Sequence, residues 1–278
     1  MSAQPGTRAR GTRGAVRHVP LVLLLGALLL PLVPLVVWAV AGRWRYPALL
    51  PQETTGRGLA LLTDPGTRAV SGLLLSAGIG FTVAVLAVVI ALPAGRALGL
   101  YAFRGRRVVQ FLLLAPVLVP ALAVTLGLQV FFIRFGLADS VVGVVVVQLV
   151  PTVPYAAVVL GAAFANLDVD YEGQARVLGA GPVRTQLAVT WPLIRPALAV
   201  AGLFAFLISW SEYILTLLVG GGQVQTLPLL LFAAVGASDT TAAAALALLL
   251  VVPPLVLVAF VTPVLAGRSG AVVGLGRL

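Results

Sequence analysis

The chain has 278 residues, of which 60% are hydrophobic and only 9% are charged, and its mean hydropathy is +1.11. A soluble domain of this length needs far less apolar sequence to build one core, so the composition favours a membrane protein. The formal net charge of +10 comes from Arg alone among the basic residues, and these Arg lie in short segments between apolar runs. That placement is typical of membrane topology rather than of nucleic-acid binding, so we expect no nucleic-acid partner.

Several kinds of chemistry are excluded by residue types that the chain lacks. It has no Cys and a single His, His18, so it offers neither a disulfide framework nor a Cys/His metal cluster. It has no Lys, which the GxxxxGK[ST] phosphate-binding loop requires. We therefore expect no metal and no cofactor, and any ATP that the protein uses must be bound by another subunit.

The first apolar run extends from about Val19 to Ala41 and follows a basic tail at residues 1–18. The tail resembles the start of a secretory signal, and Ala39-Val40-Ala41 resembles a cleavage site. However, the run exceeds the 7 to 15 residues of a signal core and has the length needed to cross a bilayer. We expect an uncleaved membrane anchor preceded by a cytoplasmic tail.

Five further runs are each long enough to span a membrane. With the first run they predict an all-α integral membrane protein, because apolar spans without alternating polar residues fold as helices. Residues 19–265 would form this six-helix domain, and residues 266–278 would be a second cytoplasmic tail. The five runs are Val70 to Ala94, Val108 to Ile133, Val141 to Ala165, Ala197 to Val219 and Ala242 to Val261.

The Arg distribution predicts the orientation of these spans. If the N-terminus is inside, thirteen Arg fall in inner segments and five in outer segments. The positive-inside bias therefore places both termini in the cytoplasm. The Arg-only basicity and the abundance of Ala, Gly and Val suggest a bacterial source, so we expect a multi-pass protein of the bacterial plasma membrane.

Prolines inside the predicted spans remove backbone donors, and we expect them to bend or break their helices. In transporters such breaks commonly line a pathway, although a packed structural kink is an equal alternative. The prolines are Pro116 and Pro120, Pro151 and Pro154, and Pro253 and Pro254.

A polar segment, residues 166–196, separates the fourth and fifth spans and has its own helical pattern. A short helix is predicted to begin near Tyr171 and to stop at Gly179 and Gly181. A second short helix, Val183 to Val189, is predicted to end before Pro192, because the residue preceding a proline disfavours the helical region.

This segment resembles the EAA loop of permease subunits in binding-protein-dependent ABC importers, whose pattern is EAA, three residues, Gly, nine residues, then Ile, any residue, Leu, Pro. Gly179 aligns with the glycine, and Pro192 ends the motif after Val189 and Trp191. The motif opens at Gly173, Gln174 and Ala175 with Glu172 just before, so that Gly173 stands where many members have a second glutamate.

The resemblance implies a MetI-like permease fold and a non-catalytic transmembrane subunit. Its partners would be an ABC ATPase dimer that hydrolyses ATP, a second permease subunit, a substrate-binding protein and the lipid membrane. The loop would be the coupling helix that docks into the ATPase, and Arg176 would contact the ATPase or cap the loop. The solute would be of the polyamine, thiamine, iron, phosphonate or sugar type.

Glu212 is an acidic residue inside the fifth apolar run and is flanked by Ser209, Ser211 and Tyr213. A charge at membrane depth is costly, so we expect these residues to face a translocation pathway or a partner. The alternative is a hydrated carboxylate near the outer end of its helix. Gln148, in the fourth span, either joins this pathway or hydrogen-bonds between helices.

An outer loop is predicted at Gln223 to Asp239, with a short helix from Leu227. If the protein is a permease, this surface would meet the substrate-binding protein. Gly220, Gly221 and Gly222 would end the fifth span before it.

Two other classes of function remain as alternatives. A secondary ion-coupled transporter would show inverted repeats and several buried ionisable residues, and the sequence shows no convincing repeat. A membrane enzyme such as a lipid transferase would need clustered acids, His or Cys at one interface. Asp168, Asp170 and Glu172 are close together, but their position indicates the start of a helix.

Overall fold

The computed structural model describes residues 23–266 except 25, 28, 46 and 120. The N-terminal tail, the beginning of the first apolar run and residues 267–278 of the C-terminal tail lie outside the described residues.

The described chain is mostly helical, with one small antiparallel hairpin in which Ala41 pairs with Thr54 and Arg43 with Glu53. In chain order the elements are α1 (Leu32–Ala39), β1 (Ala41–Arg43), β2 (Glu53–Thr54), α2 (Arg57–Thr63), α3 (Ala69–Leu100), α4 (Arg106–Leu118), α5 (Ala121–Arg134), α6 (Val141–Ala165), α7 (Asp170–Val177), α8 (Pro182–Thr185), a π-helical turn (Gln186–Thr190), α9 (Trp191–Trp210), α10 (Ile214–Gly220), α11 (Leu227–Gly236) and α12 (Thr240–Ala266).

At the centre of the molecule, α3 packs against α6, and α9 packs against both. Small residues allow α3 and α6 to approach closely, which is how helices associate in lipid. A Cβ atom placed on Gly95 would lie 2.7 Å from the Cβ atom of Leu160 and 3.0 Å from the backbone nitrogen of Gly161. The interior of this core is dominated by alanine, with Leu160, Phe206, Trp210 and Leu227 as its larger members.

The β-hairpin and α2 form a cap at one end of the bundle, next to the beginning of α12. Thr241 Oγ1 donates a hydrogen bond of 2.8 Å to the carbonyl oxygen of Ala41. The guanidinium of Arg57 forms an ion pair with the carboxylate of Asp239, just before α12. The cap therefore ties the segment after α1 to the last helix.

Four helices in the described part of the chain are long and apolar enough to cross a membrane: Ala69–Leu100, Val141–Ala165, Pro182–Trp210 and Thr240–Pro263. The predicted count of six is therefore not confirmed. The third predicted run is divided into α4 and α5 near Pro120, and the fifth is divided into α9 and α10 at residues 211–213. Within the first run, the described residues include a helix at Leu32–Ala39.

Most of the prolines inside the predicted spans do not break their helices. Helices continue through Pro116, Pro151, Pro154 and the pair Pro253 and Pro254 without ending there. The second short helix of the polar segment also does not stop before Pro192, so that prediction is wrong. The Trp191 N–H bonds to the carbonyl of Gln186, five residues back, and the missing amide of Pro192 falls where this wide turn becomes α9.

Candidate functional site

The polar segment between α6 and α9 folds as a helical hairpin, here called the coupling hairpin (residues 168–190). Its first helix, α7, begins after Asp168, whose Oδ1 accepts a hydrogen bond of 3.0 Å from Asp170 N. Asp170 and Glu172 lie in the first turn and Arg176 in the last, as the helix dipole favours. After the helix ends, the chain reverses direction at Gly179, which has a φ of +85°.

Gly179 has a positive φ, a backbone conformation that is strained for a residue with a side chain. Its N–H donates to the carbonyl of Arg176 (3.0 Å), and the next N–H, of Ala180, donates to the carbonyl of Ala175 (2.9 Å). These bonds satisfy carbonyls at the end of α7, as in glycine-terminated helices generally. The predicted stop of the helix at Gly179 is confirmed.

Glu172 is the buried centre of the hairpin, with a residue exposure of 5%. Its Oε2 accepts hydrogen bonds from Arg96 Nη2 (2.8 Å), near the end of α3, and from Arg176 Nη2 (3.4 Å). Its Oε1 accepts a hydrogen bond from Thr190 Oγ1 (2.7 Å), in the π-helical turn. One carboxylate thus joins α7, the central helix α3 and the base of α9.

The ionised form of Glu172 is favoured in this environment. Burial raises the pKa of the carboxyl, but the hydrogen bonds from Thr190 and Arg96 and the positive charges of Arg96 and Arg176 outweigh burial and lower the pKa below its ordinary value. The Arg96 guanidinium also lies over the ring of Phe164, 5.8 Å from its centre. The sequence does not predict that Arg96 and Thr190 contact Glu172, because no local pattern connects positions so far apart.

The tip of the hairpin is apolar and exposed. Val177 and Leu178 are 88% and 86% exposed, and Val183 on the second arm is 69% exposed. Gly173, Gln174 and Arg176 lie on the exposed side of α7, and Ala175 is half-buried. Pro192, the last residue of the predicted motif, lies at the base of the hairpin in the first turn of α9. The structure therefore brings the predicted coupling residues into one hairpin with Pro192 at its base.

The predicted pathway residues divide into a buried pair and a group that is exposed or half-buried. Gln148 is 1% exposed and Ser209 is 6% exposed. Ser209 Oγ donates to Gln148 Oε1, and Gln148 Nε2 donates to Thr216 Oγ1 at 2.9 Å. The amide of Gln148 therefore joins the end of α9 to α10 across the break between them.

Ser211, Glu212 and Tyr213 form that break and are exposed or half-buried. Glu212 Oε1 accepts a hydrogen bond of 3.0 Å from Leu215 N, in the first turn of α10. Tyr213 stacks on Phe232 of α11, with 4.2 Å between ring centres. The carboxylate of Glu212 belongs to none of the ion pairs within residues 23–266, so its charge remains unpaired in that part of the chain.

These features, an apolar helical bundle and a polar hairpin anchored by a buried glutamate, are those of an integral membrane protein. Residues 91–268 match the family described as "Binding-protein-dependent transport system inner membrane component". The chain belongs to this family, and the predicted resemblance to its permeases is confirmed.

The names of individual relatives refer to different transport systems. The chain is 39% identical over 105 residues to the "Putative ABC transporter permease protein ORF1" of Streptomyces antibioticus, covering 37% of this chain and 46% of that protein. It is 29% identical over 139 residues to the "Putrescine transport system permease protein PotI" of Escherichia coli K12, covering 48% and 50%. It is 33% identical over 190 residues to the "Molybdenum transport system permease protein ModB" of Mycobacterium bovis, covering 62% and 70%. The chain spans about half the length of the first two.

A solved structure shares the fold. It belongs to a bacterial ABC transporter involved in the import of the acidic polysaccharide alginate. The match has a TM-score of 0.66 at 18% identity and covers 93% of this chain and 98% of that one. At this identity the likeness establishes the fold alone, which confirms the predicted fold class apart from the number of spans.

Proposed function

We propose that this chain is the permease subunit of an ATP-binding-cassette importer and forms the path for a small solute delivered by a substrate-binding protein. The observation that carries the proposal is the coupling hairpin. Its base is fixed to the bundle through Glu172, and its tip exposes Val177 and Leu178. A motor subunit that binds the tip would move α3 and α9 with it, because Glu172 contacts Arg96 of α3 and Thr190, the residue just before α9.

In this proposal the chain is not itself an enzyme. A dimer of ABC ATPase subunits binds the hairpins of two permease subunits, and ATP hydrolysis takes place in that dimer. Both termini of this chain are cytoplasmic, on the same side as the hairpin. The outer loop around α11 meets the substrate-binding protein, and deleting it is expected to abolish stimulation of ATP hydrolysis by that protein while leaving assembly intact.

Docking is tested by co-purification in detergent with the products of neighbouring genes. Leu178→Asp places a charge on an 86% exposed apolar residue, so folding should be unaffected while the retained ATPase falls at least tenfold. Leu49→Asp, at a 91% exposed leucine between the strands of the cap, is the matched control and should retain the ATPase. Equal retention by both variants would contradict docking at the tip.

The turn of the hairpin provides a second test. Gly179→Asp forces a side chain onto a φ of +85°, whereas Gly181→Asp adds the same charge two residues away at a φ of −66°. We expect loss of the ATPase with Gly179→Asp and retention with Gly181→Asp. If no ATPase is retained even by the unaltered chain under gentle conditions, the ion-coupled carrier becomes the function to pursue.

We infer that Ser211, Glu212 and Tyr213 lie beside the solute path, with Gln148 and Ser209 holding the break that presents them. The half-buried carboxylate at an interruption of an apolar helix supports this role. Glu212→Gln should slow solute uptake and leave ATPase docking intact. Unchanged uptake kinetics would count against a role for Glu212 in the path.

A further inference from the structure

A cleft of about 340 Å³ opens between α4 and the second half of α6. It lies at the end of the bundle that carries the coupling hairpin, since α6 runs directly into that segment. Leu113, Leu114 and Val158 contribute apolar walls, and Ala162 contributes a small side chain that leaves the cleft open. Two polar side chains, Arg106 and Gln110, also line the cleft.

The beginning of α4, where Arg106 lines the cleft, carries unbalanced positive charge. Arg104, Arg106 and Arg107 surround the beginning of α4, and the first turn of this helix contains no acidic residue. Within residues 23–266, none of the ion pairs involves any of these three arginines. Basic residues at a helix N-terminus are unfavourable, because that end of the helix already carries a partial positive charge. A bound anion would relieve this repulsion.

Arg106 and Gln110 are one helical turn apart and both are half-buried. Side chains at this spacing lie on the same face of a helix, so their polar groups can approach one ligand together. The apolar wall continues along the same helix at Leu113 and Leu114, away from the arginines and into the apolar segment. The cleft is therefore charged at its mouth and apolar along its length.

We propose that this cleft binds one anionic phospholipid. The phosphate contacts Arg106 and Gln110, and an acyl chain lies against Leu113, Leu114 and Val158. A soluble phosphate would make no use of the apolar wall, and a neutral lipid would make little use of the arginines. Basic pockets between membrane helices are suited to anionic headgroups. The proposal requires only that the chain is embedded in a membrane and does not depend on importer activity.

The test is native mass spectrometry of the full chain in detergent, titrated with phosphatidylglycerol or with phosphatidylcholine of the same acyl chains. The unaltered chain should bind phosphatidylglycerol more tightly. Arg106→Gln should reduce this preference about fivefold, the effect of one arginine at a membrane surface. Arg134→Gln removes the same charge from an exposed residue at the far end of α5 and should leave the preference unchanged.

A second variant tests the apolar part. Ala162→Phe fills the cleft from an exposed position and keeps every arginine, so it should reduce phosphatidylglycerol binding while the variant elutes like the unaltered chain in gel filtration. Millimolar inorganic phosphate should not compete. The proposal fails if Arg106→Gln and Arg134→Gln lose the same preference, if Ala162→Phe binds lipid normally, or if inorganic phosphate displaces the lipid.

Discussion

At the scale of single residues, the attachment of the coupling hairpin depends on one carboxylate. Glu172 accepts hydrogen bonds from three side chains, and its partner Arg96 has a second terminal nitrogen, Nη1, that is buried without a hydrogen-bond partner in the described structure. Removing the negative charge would therefore leave a guanidinium largely enclosed with no counter-charge. Such a loss is far more costly than the loss of a surface ion pair.

Glu172→Gln should destabilise the attachment of the hairpin by about 3 kcal/mol, because it preserves the shape of the side chain but leaves the charge of Arg96 unpaired. Amide hydrogen exchange across residues 170–190 measures the effect as lost protection. Asp170→Asn removes an equal charge from an exposed residue of the same helix and should change protection by less than about 1 kcal/mol. Equal effects of the two variants would contradict the anchoring role of Glu172.

The pH dependence of the hairpin follows from the direction of the pKa shift of Glu172. Because the pKa is lower in the folded chain than its ordinary value of 4.5, the carboxylate contributes its full stability above pH 4.5. That stability is lost as the pH falls through the folded value. We expect hairpin protection, corrected for intrinsic exchange rates, to hold at about pH 5 and to fall in more acidic solution. Glu172→Gln should show no such fall.

At the scale of helices, the contact of α3 with α6 depends on glycine at the crossing point. Gly95→Ala would place a Cβ atom 2.7 Å from the Cβ atom of Leu160, which forces the helices apart. We expect a loss of about 1 to 3 kcal/mol of stability, measured by thermal unfolding in detergent. Gly78→Ala, in the same helix, meets nothing within 4 Å and is the matched control. Its stability should be unchanged or slightly increased, since alanine favours helix.

The break between α9 and α10 depends on Gln148. Gln148→Leu leaves the buried hydroxyls of Ser209 and Thr216 without their amide partner, and we expect a loss of about 1 to 3 kcal/mol in the same unfolding assay. Gln129→Leu, at a half-buried glutamine of α5, tests whether any polar loss in the bundle has this effect. A similar loss of stability in both variants would contradict a specific role of Gln148 in holding the break.

At the scale of the whole molecule, the proposed orientation places α11 and the hairpin tip on opposite sides of the membrane. The sequence contains no cysteine, so a single introduced cysteine is a unique label. In intact cells a membrane-impermeant maleimide should label Ala237→Cys, an exposed residue after α11. Val177→Cys should react only after the cells are permeabilised. The reverse pattern would overturn the orientation inferred from the arginines.

The sequence by itself determined the helical membrane class, the bounds of α6, the short helix that ends at Gly179, and the helix beginning at Leu227. These features follow from local signals: a long apolar run, acidic residues at a helix start, and a glycine at its end. The same signals wrongly predicted that the second helix of the hairpin ends before Pro192. The helix continues, because a proline can be accommodated where a π-helical turn changes the hydrogen-bond register.

Only the tertiary structure decided which polar groups meet. Arg96 and Glu172 are 76 residues apart, and Gln148 and Ser209 are 61 apart, so no periodic pattern could pair them. Their meeting depends on the close approach of α3 and α6 and on the position of α9 against both, which is decided by packing between helices. Apolar periodicity places a helix in the membrane, but the contacts of its polar residues depend on the neighbours that the complete fold supplies.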